Sequence, residues 1–176
     1  MKNVIKWLKL DNRVHIPSKA HATDAGMDMR VLVDEDKFRP ESKTSGVPVT
    51  LTTLHDIDLG TTALGCTILP NQTIVFHTGL KCETPEGFYL EVNPRSSLGF
   101  KKDIMLANTT GIVDCHYRGE LMVALHNNGI HPQVIEDGER VVQCMLKKVE
   151  EVESIEVTKL SETDRGEGGF GSSGRK

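Results

Sequence analysis

The sequence predicts an all-β sandwich or barrel, and two patterns carry that expectation. Short runs rich in β-branched, aromatic and aliphatic residues recur at Thr73–Thr78, Gly87–Val92, Leu121–His126 and Val141–Leu146. Turn signals separate them, at Pro70-Asn71, Thr84-Pro-Glu-Gly87, Asn127-Asn-Gly129 and Asp137-Gly138. No stretch keeps apolar residues at i, i+3, i+4 and i+7 for long enough to build a long helix. Many short strands joined by Gly/Pro turns bury their faces by stacking or closing their sheets.

Size and charge narrow the function. A chain of 176 residues fits one domain. A domain of that size buries roughly 70% of its unfolded surface. A net charge of −4 and a pI near 6.0 argue against a nucleic-acid groove. Cys66, Cys82, Cys115 and Cys144 are scattered, with no C-x-x-C and no Cys/His pair at metal spacing. They are expected to be reduced thiols in a cytoplasmic protein, or in host cytoplasm if the source is viral. Met1–Leu10 carries Lys2, Lys6 and Lys9 without a long apolar run, which fits neither a signal peptide nor a membrane span.

The remaining elements follow in chain order. Thr23-Asp-Ala-Gly-Met-Asp28 sets Asp24 and Asp28 around a glycine. Carboxylates near phosphates suit Mg²⁺ held partly through water, although Asp-rich turns are common. Residues 34–65 are polar and Thr-rich, with Pro40, Gly46 and Pro48. They read as a long loop with a strand or two of its own. Asn93-Pro-Arg-Ser-Ser-Leu98 leads into a short helix over Ser96–Asp103, opening on a serine cap. Such a helix start, with Arg95, Ser96 and Ser97, suits an anion.

Asn108 to Glu120 reads as a hairpin whose tip carries Asp114 and Tyr117. Its open backbone can pair with the edge of a base, and Asp114 can orient and deprotonate a water. The same residues also describe an ordinary turn aspartate with a packed tyrosine. The last stretch, Arg165-Gly-Glu-Gly-Gly-Phe-Gly-Ser-Ser-Gly-Arg-Lys176, cannot build a core. Its glycines let backbone N–H groups approach an anion. Arg165 offers a planar fork of donors, and Phe170 is free to stack on a base. Composition alone also describes a solvated Gly/Ser tail.

Together these pieces resemble one family. Ala25-Gly-Met-Asp28, Pro94-Arg-Ser-Ser97, Gly111-Ile-Val-Asp-Cys-His-Tyr-Arg-Gly-Glu120, Gly138-Glu-Arg-Val-Val-Gln143 and Arg165–Gly174 resemble, in order, the five motifs of the trimeric dUTP pyrophosphatases (dUTPases). The resemblance leaves out only about 36–65. It implies a jelly-roll-like distorted β-barrel over 1–160, with one short helix and an insertion at about 36–65. A mobile Gly-rich C-terminal arm, 161–176, would close the active site. It further implies a homotrimer with shared sites and Mg²⁺-dependent hydrolysis of dUTP to dUMP and pyrophosphate. That activity keeps uracil out of DNA and supplies dUMP for thymidylate synthesis.

The resemblance also implies roles for residues. Asp114 matches the general base that activates water against the α-phosphorus. Tyr117 matches the ring against deoxyribose that leaves no room for a 2′-hydroxyl. Asn108, the backbone of Gly111, Ile112 and Val113, and the region of Met122 match the uracil-reading hairpin. Arg95, Ser96 and Ser97 match the phosphate-binding helix start, and Gln143 matches a contact near the α-phosphate. Arg165, Ser172 and Ser173 match the γ-phosphate clamp. Phe170 matches the ring that covers uracil, Gly171 beside it is a further substrate-binding position, and Asp28 matches the carboxylate that steadies Mg²⁺ through water.

Some positions depart from that pattern. Val142 stands where a small alanine is usual, and Ser173 where threonine is common. The 36–65 insertion is expected to be separable from the chemistry and replaceable by a short Gly/Ser link. His116 is expected to point away from Asp114 along the hairpin. The other histidines, His15, His21, His55, His77, His126 and His131, have no ligand spacing. Two rivals differ in kind. A dCTP deaminase-like enzyme on the same fold needs a catalytic glutamate arrangement that is not found, and the zinc deaminase signature is absent. A dUTP-binding regulatory protein would use the insertion as a partner surface.

Overall fold

A computed structural model describes residues 3–56 and 61–169. The described chain forms strands β1 (Lys6–Lys9), β2 (Met27–Arg30), β3 (Glu41–Ser42), β4 (Thr50–Asp56), β5 (Thr61–Ile68), β6 (Thr73–His77), β7 (Leu80–Glu83) and β8 (Phe88–Pro94). After helix α1 (Ser96–Lys102) come β9 (Ile104–Leu106), β10 (Gly111–Val113), β11 (Met122–Asn127), β12 (Gln133–Glu136) and β13 (Arg140–Lys148). All the strand pairs are antiparallel, and the fold is the expected all-β, jelly-roll-like barrel.

Two four-stranded sheets, ordered β10-β8-β13-β2 and β3-β6-β11-β9, carry most of the core. Each inward row follows the two-residue period of a strand. In β6, Ile74 and Phe76 are buried; in β8, Leu90 and Val92; in β11, Val123 and Leu125. Strand β13 breaks the alternation, because Val141 and Val142 are both fully buried. A register shift between Arg140 and Val142 against β2 explains this. A bulge lets two successive side chains face inward. Val142 is thus a core residue and not a contact of the neighbouring site.

The helix corrects one expectation. Its N-cap is Arg95, with ψ 144° and no side-chain cap, and Ser96 is already the first helical residue. The helix ends at Asp103, whose left-handed φ of 52° turns the chain into β9.

The described residues of the 36–65 stretch are built into the barrel. Strand β4 pairs along its length with β5, and β5 pairs in turn with β12. The buried Gln72 side chain donates to Ser42 Oγ (3.2 Å) and the Pro48 carbonyl (3.1 Å), and accepts from Leu69 N–H (2.9 Å). Phe38 lies in the core at 1% exposure. The turn that delivers it is tied by Asp34, whose Oδ1 accepts from Phe38 N–H (2.7 Å) and Asp36 N–H (3.0 Å) while Oδ2 takes Arg13 (2.7 Å). Burial pushes the Asp34 carboxyl up, but these bonds prevail and hold it below its ordinary 3.8. The turn therefore adds stability above the ordinary carboxylate range, and that stability is lost as pH falls through the lowered value. A Gly/Ser link replacing 36–65 would remove Phe38 and the pairing of β4, so the expected replacement does not fit the structure.

The C-terminal region leaves the barrel. Val149 N–H donates to the Gly87 carbonyl (2.8 Å), and beyond it no described residue joins a strand. Val152, Ile155 and Leu160 are 83%, 73% and 79% exposed, an unusual run of uncovered apolar side chains.

Phe38→Ala is expected to lower unfolding free energy by about 3–5 kcal/mol, the cost of emptying a buried phenylalanine site. Urea unfolding checks this. A loss under about 1 kcal/mol would place Phe38 outside the core.

Candidate active site

A cavity of about 430 Å³ opens between β10 and β11. Its apolar wall comes from Met29, Val92, Leu106 and Val123, and its mouth from Asn108, Asp114, Tyr117 and Met122. Strand β10 is at the edge of its sheet. Gly111, Ile112 and Val113 pair with Val92, Glu91 and Leu90 on one side, and no described strand covers the other. An edge of unpaired N–H and C=O groups beside an apolar slot can receive a flat, polar-edged ring.

The loop before β10 is held in one shape. Asn93 Oδ1 accepts from Thr110 Oγ1 (3.1 Å), and Asn93 Nδ2 donates to Glu91 (2.9 Å). Thr109 takes a left-handed φ of 60°, uncommon for a β-branched residue. Its hydroxyl donates to the Asn108 carbonyl (2.7 Å), which helps to hold that strained turn. Asn108 is exposed beside it.

After β10 the chain turns at Asp114, whose carbonyl accepts from Tyr117 N–H (3.1 Å). The Asp114 carboxylate is solvent-exposed at the pocket mouth. Tyr117 folds back so that its hydroxyl donates to the Glu120 carbonyl (3.0 Å). Gly119 leaves room for this placement, because a Cβ there would meet the Tyr117 hydroxyl and ring and displace them. His116 is exposed beside this turn.

A second cluster lies at the far side of the same sheet. Asp28 on β2 sits opposite Gln143 on β13, and Gln143 sits opposite Asn93 on β8. Asp28 Oδ2 accepts from Arg140 (2.9 Å), and Oδ1 lies 3.0 Å from Arg95 Nε. Gln143 donates to the Pro94 carbonyl (3.3 Å), and its Oε1 lies 2.6 Å from the point a Cβ on Gly26 would occupy. Ser96 is exposed and Ser97 half-exposed at the start of α1.

The structure thus gathers Asn108, Gly111, Ile112, Val113, Asp114, Tyr117 and Met122 at the cavity, and Asp28, Arg95 and Gln143 beside the helix start. It does not bring Arg165 to either, since Arg165 donates to the Gly168 carbonyl (2.8 Å) within the tail. Phe170, Gly171, Ser172 and Ser173 lie outside the described residues. Sequence reasoning missed Asn93, Thr110 and Arg140 as parts of this framework. The Glu120 carboxylate was also passed over, although it closes the third motif. Among the described residues no trio of His, Cys, Asp and Glu is placed to hold a metal by itself. Cys66 and Cys144 are buried, which pushes their thiols up to about 12 and leaves them unreactive.

The barrel and its cavity define an all-β protein with a pocket beside an open strand edge. A family model described as dUTPase matches residues 56–174. The deoxyuridine 5'-triphosphate nucleotidohydrolase of Alkaliphilus metalliredigens is 37% identical over 172 residues, covering 98% of each chain. The chain belongs to the dUTPase family. Among solved structures, a Staphylococcus bacteriophage 80alpha dUTPase variant with dUpNHpp superposes with a TM-score of 0.73 at 21% identity, covering 98% of this chain and 99% of that one. A mutant dUTPase from phage phi11 of S. aureus, described with a structural Mg(II) ion, gives 0.66 at 17% identity and covers 91% and 100%. Both share the fold.

Asp28→Asn is expected to cost about 1–2 kcal/mol, because Arg95 and Arg140 lose the anion between them in a partly exposed site. Urea unfolding at low salt measures it. An unchanged midpoint would show that the two ion pairs add nothing.

Proposed function

We propose that this protein hydrolyses dUTP to dUMP and pyrophosphate, with Asp114 as the general base. The observation that supports this best is the sequence of elements at the pocket. An uncovered strand edge, Gly111–Val113, runs directly into an exposed carboxylate and then into a tyrosine folded over the mouth. Uracil pairs with the β10 backbone and Asn108, with Met122 near its edge. Cytosine presents the reverse donor pattern, and a site with fixed polar groups rejects it because its own groups stay unpaired. The Tyr117 ring lies against deoxyribose, where a 2′-hydroxyl finds no space.

The reaction is an in-line displacement. Asp114 accepts a proton from a water as its oxygen bonds to the α-phosphorus. The bond from that phosphorus to the bridging oxygen breaks, and pyrophosphate carries away the electron pair. Arg95, Ser96, Ser97 and Gln143 hold phosphate oxygens by charge and hydrogen bonding. From the tail, Arg165, Ser172 and Ser173 grip the γ-phosphate, while Phe170 and Gly171 cover the base and exclude water.

Magnesium fits the donors present in one way only. Each Asp28 oxygen already faces an arginine, which leaves one lone pair apiece for water. A hydrated ion carried on the triphosphate suits that arrangement, since Mg²⁺ keeps several waters and binds substrate phosphates. When bound, it spreads the charge that grows on the leaving group.

A homotrimer with shared sites accounts for the rest. Three strand spacings, about 14 Å, separate β10 from β2 in one sheet. The tail leaves the barrel with its apolar side chains uncovered, as a segment that packs on a neighbouring subunit would. The buried, unpaired thiols of Cys66, Cys82 and Cys144 fit a cytoplasmic setting.

Asp114→Asn keeps shape and hydrogen bonding but removes the proton acceptor. Calorimetric binding of a non-hydrolysable dUTP analogue is expected to persist, while pyrophosphate release falls by about 10²–10⁴-fold. Near-wild-type kcat would remove Asp114 from the mechanism.

A further inference from the structure

Behind the pocket, an imidazole that belongs to none of the family-like motifs touches the third one. His77 ends β6, opposite Met122 on β11. Its Nδ1 lies 3.0 Å from Glu120 Oε2, and a carboxylate only accepts, so Nδ1–H donates. The other oxygen, Oε1, accepts from Gly79 N–H at 2.8 Å. Both partners are largely shielded, at 17% and 18% side-chain exposure. The next residue is fastened on the same anvil, with Thr78 Oγ1 donating to the Leu121 carbonyl (2.6 Å) and Leu121 N–H to the Leu80 carbonyl (2.8 Å).

The far side of the imidazole is braced. Phe38 meets it edge-on, with ring centroids 5.9 Å apart and planes at 63°. Phe38 itself carries Lys37 at 4.9 Å and Arg13 at 5.6 Å over its ring. The Glu120 residue so fixed is the one whose carbonyl receives the Tyr117 hydroxyl.

We propose that His77 is a positioning residue for the sugar gate: braced by Phe38, it fixes the Glu120 carboxylate, and the fixed Glu120 turn holds Tyr117 at the pocket mouth. The relay carries a contact from Phe38, within the 36–65 stretch and outside the residues the family model matches, to the ring that excludes a 2′-hydroxyl. It rests on the assignment of Tyr117 to deoxyribose. The alternative is a stabilising buried pair with no effect on selectivity. The two differ in what they move: a stabilising pair shifts the melting temperature, whereas a relay also shifts the choice of sugar.

The test is a cycle of His77→Ala, Tyr117→Phe and the double variant. It reads kcat/KM for pyrophosphate release from dUTP and from UTP, with circular dichroism confirming the fold. His77→Ala is expected to lower the dUTP-to-UTP ratio by about 3- to 30-fold, and Tyr117→Phe to lower it comparably. The double variant should fall no further than the larger single effect, because both cut one chain. His77→Gln, which restores a donor to Glu120, should recover most of the ratio. A ratio within twofold of wild type in His77→Ala, or fully additive effects, overturns the relay. Should His77→Ala not fold, the cycle is run with Glu120→Gln, and additivity overturns the relay equally. If the wild-type protein releases no pyrophosphate from dUTP, the proposed activity fails instead. The relay is then read as the dUMP-to-UMP ratio of dissociation constants by calorimetry. An unchanged ratio, or no binding by the wild type, overturns it.

Discussion

Most of the candidate site depends on the register of one antiparallel sheet. In the order β10-β8-β13-β2, Val92 sits between Gly111 and Cys144, and Gln143 sits between Asn93 and Asp28. Four of the five family-like motifs therefore ride on one set of backbone hydrogen bonds. A slip of one residue would turn Asp28 and Gln143 to the opposite face and push Val92 out of the core. The bulge at Arg140–Val142 adds to that lock, since two buried valines pin β13 against sliding. Asn108, Asp114, Tyr117 and Met122 are exposed at the cavity mouth, and buried residues of the sheets set where they stand.

The second layer of control is polar and local. The turn at Asn108–Thr110 is strained at Thr109 and held by Asn93. The turn at Asp114–Glu120 is held by the Tyr117 hydroxyl, the glycine beneath it and the two-pronged grip on the Glu120 carboxylate. Both turns flank the three residues of β10, so the open strand edge is presented between two fixed points. A short strand with one free edge would otherwise fray or pair with another chain. Rigid flanks keep that edge fixed and open beside the cavity.

Much of this was legible in the sequence. Strands β6, β8 and β11 bury every second residue, and β13 departs from that period only at its bulge. The third motif announces its turn by glycines and turn residues, but the hairpin expected there does not form, because β10 pairs with β8 while β11 lies in the other sheet. Other parts left no local trace. Strand β5 begins with threonines and looks like loop, yet pairing on both sides buries Cys66 and Ile68. Phe38 sits in a charged, turn-rich stretch that hides its burial. The serine expected to cap α1 lies one residue inside it, because Arg95 takes the extended conformation of the cap. The pairing of His77 with Glu120 spans 43 positions and obeys no periodicity. The pair of arginines on Asp28 likewise exists only once β2, β8 and β13 are side by side.

The central claim is that a strand edge reads uracil while a tyrosine reads deoxyribose, ahead of water attack at the α-phosphorus. The most direct measurement compares pyrophosphate and ammonia release from dUTP, dCTP, dTTP and UTP by the full chain with Mg²⁺. The account predicts pyrophosphate from dUTP alone at an appreciable rate, with the other three lower by at least about 10²-fold and no ammonia from any. Comparable pyrophosphate release from dTTP or UTP, or ammonia release from dCTP, would contradict it.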